Sequence, residues 1–140
     1  MTLRVEETAD IAACRALRVA VFVDEQAFPL SEEFDAVDDI ARHLLALKDG
    51  APIGTARVYA KDGTGWIGRI CVLAAGRGHG IGAALVRQGI VLLRSEPTVT
   101  EIALGAQVHA IPFYEKLGFA VSGPIYDDLG VPHREMRQPA

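Results

Sequence analysis

The stretch from Cys71 to Leu93, CVLAAGRGHGIGAALVRQGIVLL, constrains this chain more than any other. Gly76, Gly78, Gly80 and Gly82 stand between a β-branched run and an apolar run of helical period. A strand that enters a helix through bare backbone leaves the first amides of that helix without partners inside it. Those amides point where an anion can sit, and the helix dipole adds to the attraction. Residues Arg77, Gly78, His79, Gly80, Ile81, Gly82 and Ala83 therefore read as a phosphate cradle, with Arg77 and His79 able to add side-chain contacts. A Cβ at the glycines would hold a pyrophosphate off the backbone. A tight turn is the plainer use of the same residues.

The rest of the chain supplies a framework for that junction. Leu3 to Glu6 alternates as an opening strand, and Asp10 is a good N-cap for a helix whose face carries Ile11, Cys14, Leu17, Arg18 and Val21. DEQAFPLSEEFDAVDD breaks the apolar pattern and reads as a loop with a short polar helix. Two strand runs meet at Asp49-Gly50, a dipeptide suited to the positive φ angles of a hairpin turn, and KDGTG leads into a third run, Trp66 to Leu73. After the glycine-led helix, EIALGA is a strand. IPFYEKLGF is a helix with Pro112 in its first turn, Lys116 in its last and Gly118 as a left-handed stop. FAVSGPIYDD and REMRQ form a final pair of strands around a loop at Gly130 and Pro132. The order predicts an α/β (α+β) fold: a mixed sheet of about six or seven strands flanked by about four helices, in one domain over residues 1–140.

Composition narrows the function classes. Half of the 140 residues are hydrophobic, too many for a disordered chain and ordinary for a domain with its own core. A net charge of -4 argues against grip on a nucleic-acid backbone, while leaving room for one local anion pocket. Cys14 and Cys71 are too few for a disulfide framework or a zinc site, so no metal is expected and a reducing compartment is. No apolar run reaches the length of a membrane span, and the expected location is cytoplasmic.

Two cofactor readings compete for the cradle. Gly78-His79-Gly80-Ile81-Gly82-Ala83 fits a dinucleotide fingerprint, with Glu101 near the position of a ribose-binding acid. Its context is wrong: the preceding strand follows antiparallel hairpins, and no second βαβ half comes after. The other reading is a resemblance. Arg77-Gly78-His79-Gly80-Ile81-Gly82 is similar to the pyrophosphate loop of the GCN5-related N-acetyltransferases (GNAT), and HAIPFYEKLGF resembles a later helix of that family. RVAVFVDEQ, LGAQVHAIPFYEKLGF and YDDLGVPH are most similar to its small bacterial ElaA-type members.

The resemblance implies acetyl-CoA as co-substrate, with its pyrophosphate on the amides of residues 77 to 83. Its pantetheine arm would lie in a cleft where the strand ending at Val72 splays from EIALGA. Main-chain groups at Ile70 and Val72 would pair with the arm, and one amide there could polarise the thioester carbonyl. The side chains of Ile70, Cys71 and Val72 read as core strand, and nothing marks Cys71 as a low-pKa nucleophile. Tyr114 stands where the family carries a tyrosine acid, beside Phe113, which is cofactor-side packing or plain core. The implied acceptor is a primary amine of a small molecule or peptide.

The acceptor side is read from what remains. Glu25, Asp38, His43, Arg69 and His133 are polar groups on segments that this fold would bring to the opposite mouth of the cleft. Acids would draw a cationic amine, whereas Arg69 would suit an added anionic group. The proton acceptor stays open between a histidine and water. A second class also stays open, an acyl-CoA sensor or catalytically silent homologue acting through a partner protein. Self-association as a homodimer is undecided.

Overall fold

The structure is a computed structural model and describes residues 2–140. Strand β1 (Leu3–Thr8) runs into helix α1 (Ile11–Arg18), which widens without a break into a π-helical segment, Val19–Glu25. Two single-turn helices follow, α2 (Leu30–Glu33) and α3 (Val37–Ile40). Next come β2 (Arg42–Lys48), β3 (Ala51–Lys61) and β4 (Thr64–Val72), then the long helix α4 (Ile81–Arg94) and β5 (Glu101–Gln107). The chain closes with α5 (Ile111–Glu115), β6 (Ala120–Val121), β7 (Tyr126–Asp128) and β8 (Val131–Pro139).

Local chemistry explains most of these boundaries. The Asp10 carboxylate accepts from the Ala13 amide at 3.1 Å and caps α1 as its sequence predicts. Asp49-Gly50 and Asp62-Gly63 both take paired positive φ angles, at 51° and 83° and at 52° and 80°. Those are the turns that match the twist of antiparallel strands, so β2, β3 and β4 follow one another as hairpins. Gly118 (φ 96°) ends the α5 turn, and the Phe119 amide reaches back to the Tyr114 carbonyl at 3.2 Å.

The strands form one eight-stranded sheet in the order β1-β2-β3-β4-β5-β8-β6, with β7 also paired to β8. The expected final pair of strands is three pieces. FAVSGPIYDD splits into β6 and β7 around Gly123-Pro124, and both pair with β8. Pro132, expected in a loop, lies within β8 opposite Asp127. It costs the sheet nothing on the β5 side, because β5 begins to pair only at His133.

Helices cover both faces. Along β2, Leu44 and Ala46 join Ile53, Ala56, Ile81 and Leu85 in the cluster under α4, while the intervening Leu45 joins Cys14, Leu17, Val21 and Cys71 under α1. That alternation is the period of a strand buried on both sides. The loop after the π-helical segment leaves Leu30, Phe34 and Ile40 exposed and is held chiefly by charge. Buried Arg18 bonds Glu33 through Nε and both oxygens of Asp38 through Nη1 and Nη2, each at 2.8 Å. Arg57 on β3 bonds Asp38 at 2.9 Å and Asp35 at 2.7 and 2.8 Å.

Burial alone would raise the Asp38 carboxyl, but the hydrogen bonds from Arg18 and Arg57 outweigh it and hold the group well below the usual carboxylate range. A carboxylate held low in the folded state contributes stability above its unfolded value, near ~3.9, that is lost as pH falls further. Asp38→Asn should therefore cost about 3–5 kcal/mol at neutral pH, because it leaves Arg18 buried without its main partner. Urea unfolding at pH 7 and at pH 3 should show the gap between parent and variant narrowing in acid.

Candidate active site

The site is set by a strand pairing that stops. β4 and β5 are the parallel neighbours in the sheet, and their register covers Thr64, Gly65 and Trp66 against Glu101, Ile102 and Ala103. Beyond those residues β4 stays bonded to β3 and β5 to β8, so the two strands diverge. β4 also carries a bulge: Thr55 opposes Cys71 and Arg57 opposes Gly68, leaving Arg69 and Ile70 opposite Ala56 alone. Arg69 takes a left-handed backbone there (φ 49°). Bulges of this kind twist a strand away from its neighbour and re-aim a side chain.

Two cavities fill the wedge and share Gln26 and Ile70 in their walls. The larger, about 470 Å³, is lined among others by Arg57, Trp66, Arg69, Tyr114, Tyr126 and His133. The smaller, about 380 Å³, is lined by Glu25, Ile70, Cys71, Val72, Arg77 and His109, with Val21 and Gln26. The Leu73 amide donates to the Ile53 carbonyl on β3 at 2.9 Å, so alternation turns the N–H and C=O of Val72 to the gap, with Ile70 beside it in the bulge. The Val72 carbonyl faces it, accepting from Arg77 Nε at 3.1 Å.

The glycine loop opens beside the smaller cavity. Gly80 is the N-cap of α4 and, with Gly78, has a positive φ (74° and 81°); a Cβ at either would meet nothing within 4 Å. The amides of residues 78–83 make no hydrogen bond outside α4, and those of Ile81, Gly82 and Ala83 form its first turn. This is a bare rim of donors with open space in front, which fits a pyrophosphate. Phe113 stands 3.5 Å from where a Gly82 Cβ would be, against the start of α4. His79 is exposed on the loop, whereas the Ile81 side chain belongs to the core.

Tyr114 is buried in the wall of the larger cavity, with Phe113 and Phe119 packed edge-on at 5.0 and 6.2 Å. Burial pushes its phenol up to about 12, so it holds its proton across the physiological range. Burial also pushes the Cys71 thiol up to about 12, which agrees with its reading as core and not as a nucleophile.

The acceptor-side expectations divide. Arg69 and His133 line the larger cavity. Three others need correction. Glu25 lies on the smaller cavity, where Arg77 Nη1 and Nη2 hold its carboxylate at 2.6 and 2.7 Å; it restrains the loop arginine in place of facing an acceptor. Asp38 is buried under Arg15, Arg18 and Arg57 and acts by fixing the cavity wall. His43 is buried behind it, with Nε2 3.0 Å from the Asp38 carbonyl, and lines neither cavity. Arg69 itself is spent in part on the Glu32 carbonyl and Asp35, both at 3.2 Å.

Sequence reasoning missed Gln26, Trp66 and Tyr126. A signal for Tyr126 exists in the lone glycine of EIALGA: a Cβ at Gly105 would collide with the Tyr126 hydroxyl. Among the described residues no group of three or more His, Cys, Asp or Glu side chains is placed to hold a metal. No helix among them is long and apolar enough to cross a membrane.

The wedge between diverging parallel strands, floored by a helix N-terminus with a glycine rim, is the candidate site of this fold. The acetyltransferase (GNAT) family profile matches residues 8–119, and the chain belongs to that family. It is 35% identical over 121 residues to the "Uncharacterized N-acetyltransferase YjcF" of Bacillus subtilis, covering 86% of each chain. It is 32% identical to Escherichia coli ElaA over 84% of this chain and 79% of that one. The crystal structure of ElaA superposes with a TM-score of 0.86 over 98% of this chain and 99% of that one. An aminoglycoside 6'-N-acetyltransferase solved with coenzyme A shares the fold at a TM-score of 0.76 and 15% identity, over 97% and 96% of the two chains.

If both thiols are core, a thiol reagent should label Cys14 and Cys71 of the native protein only at the rate of unfolding. Rapid labelling of Cys71 without loss of structure would contradict its placement.

Proposed function

We propose that the protein is an acetyl-CoA-dependent N-acetyltransferase that moves an acetyl group directly to a primary amine of a small molecule or peptide. The observation that carries this reading is the continuity of two features. The bare amides of residues 78–83 lead directly to the unpaired edge of β4 at Val72 and Ile70, and that edge runs into the cavity holding Tyr114. Phosphates on the first and an extended amide-bearing arm on the second would bring a thioester to the phenol. The GNAT membership and a neighbour crystallised with coenzyme A support the same donor.

Each residue then has a role. Gly78 and Gly80 keep side chains off the pyrophosphate, and the α4 dipole favours its charge. Ile70 and Val72 bind the arm through main-chain N–H and C=O groups, and one amide serves the carbonyl oxygen of the thioester. Arg77 must let go of the Val72 carbonyl for that pairing, with Glu25 holding the guanidinium beside the cleft. Tyr114 gives its phenolic proton to the sulfur as the carbon–sulfur bond breaks and the carbon–nitrogen bond forms. Cys71 takes no covalent part.

The test is thiol release from acetyl-CoA with spermidine, glucosamine and a lysine-containing peptide as acceptors. Tyr114→Phe should lower turnover roughly 10²-fold with CoA affinity nearly unchanged. CoA should raise the Tm in a concentration-dependent way, and Gly80→Val should lose that rise. Binding of CoA with no release under any acceptor would favour a silent acyl-CoA-binding module. A folded Gly80→Val protein with parental CoA affinity would remove the cradle.

A further inference from the structure

The larger cavity contains one imidazole whose chemistry is fixed by its surroundings. His133 on β8 is 7% exposed, and its Nδ1 lies 2.9 Å from the Val131 carbonyl. A carbonyl can only accept, so Nδ1 carries the hydrogen and the lone pair of the neutral ring is on Nε2. Among the described residues Nε2 makes no hydrogen bond, and the sealed side-chain nitrogens without partners are His43 Nδ1, Arg57 Nε and Arg69 Nε, with His133 Nε2 not among them. His133 and Tyr114 line the same cavity.

The β7–β8 hairpin holds a carboxylate beside it. Leu129 and Gly130 make the tight turn with φ of 53° and 87°, which brings Asp128 and His133 to the same end of the cavity. Asp128 Oδ2 is 3.9 Å from His133 Nε2, too far for a hydrogen bond and the right span for one nitrogen to bond both. The Tyr126 ring lies against the imidazole with centroids 5.7 Å apart and holds its plane. The cavity's other carboxylates are Glu33, bonded to Arg18, and Glu32, exposed on α2.

We propose that Asp128 and His133 together seat the acceptor's ammonium and that His133 Nε2 removes its proton. This rests on the acetyl-transfer reading above. One N–H of the ammonium donates to Asp128 and another passes its proton to Nε2. The freed nitrogen lone pair forms the bond to the thioester carbon, the carbon–sulfur bond breaks, and the sulfur takes the proton of Tyr114. The acylated nitrogen gives up its second proton, through water, to the Tyr114 phenolate, and His133 releases the proton it took to solvent before the next turnover. The charged and titratable neighbours of the ring are Asp128 and Tyr126 on β7. Its partner on β5 is the uncharged Gln107, and on β8 itself Arg134 and Glu135 are turned to the Gly123 carbonyl and to Arg137. The acceptor class is thus an amine that is protonated at rest.

His133→Asn keeps a donor where Nδ1 stands and removes the second nitrogen. With the fastest amine among spermidine, glucosamine and the lysine peptide, it should lower kcat/KM roughly 10²-fold at neutral pH. It should also abolish the acidic limb of the parent's pH profile while keeping the Tm rise given by CoA. Asp128→Asn should raise the amine KM several-fold, change kcat little and keep the acidic limb. If His133→Asn does not fold, the imidazole nitrogen resonances of the parent answer the same question, because the amine must perturb His133 Nε2. A parental profile in His133→Asn, or an unperturbed Nε2, overturns the assignment and leaves the acetyl-transfer reading intact. A parent that binds CoA and acetylates none of the three amines overturns that reading, and this assignment falls with it.

Discussion

The structure depends on a pairing that covers three residues of each strand and then ends. Thr64 to Trp66 lie against Glu101 to Ala103, and past that point each strand keeps only its outer neighbour. The unpaired inner edges are polar backbone, and leaving them buried without partners would cost free energy comparable to lost hydrogen bonds. They are tolerable because the wedge is open to solvent or to an extended ligand. The bulge at Arg69 and Ile70 contributes to the same opening by turning the end of β4 away.

A wedge needs walls, and here they are made differently on its two sides. On the α4 side, packed aliphatic residues hold the helix so that its N-terminus meets the end of β4. On the other side, the segment from α2 to α3 leaves Leu30, Phe34 and Ile40 exposed and is fixed by Arg18 and Arg57 clasping Glu33, Asp35 and Asp38. Such networks gain less stability than hydrophobic packing of equal volume, but breaking them is costly. The π-helical continuation of α1 places Phe22 and Gln26 in the larger cavity and Glu25 and Gln26 in the smaller one. Widened turns of this kind are frequent at functional sites.

Much of this was legible in the sequence where local chemistry decides conformation. Asp10 capped its helix, Asp49-Gly50 turned, Gly118 ended α5, and the glycines from 76 to 82 joined a strand to a helix. What stayed hidden depends on pairing between distant segments. Arg18 looked like one more residue on an amphipathic face, and only folding brings Glu33 and Asp38 to it across a loop. Glu25 and Arg77 are far apart in the chain, so no spacing rule links them, and only the fold brings the acid to the loop arginine beside the smaller cavity. Asp38 carries the right charge for an acceptor site and His43 the right kind of ring, but both lie behind its wall, where Arg18 clasps Asp38 and His43 Nε2 meets the Asp38 carbonyl. His133 was among the candidates, yet its tautomer depends on a carbonyl two residues away in β8, which composition cannot reveal.

The central claim is that one continuous track, from the glycine rim to the free edge of β4, receives the donor. Amide hydrogen exchange with and without CoA tests it residue by residue. The account predicts that CoA slows exchange at Gly78 to Ala83 and at Ile70 and Val72, with little change at Leu73, whose amide is already bonded to the Ile53 carbonyl at 2.9 Å. Protection confined to other segments, or CoA binding that leaves the Val72 and Gly80 amides exchanging at their parental rates, would contradict it.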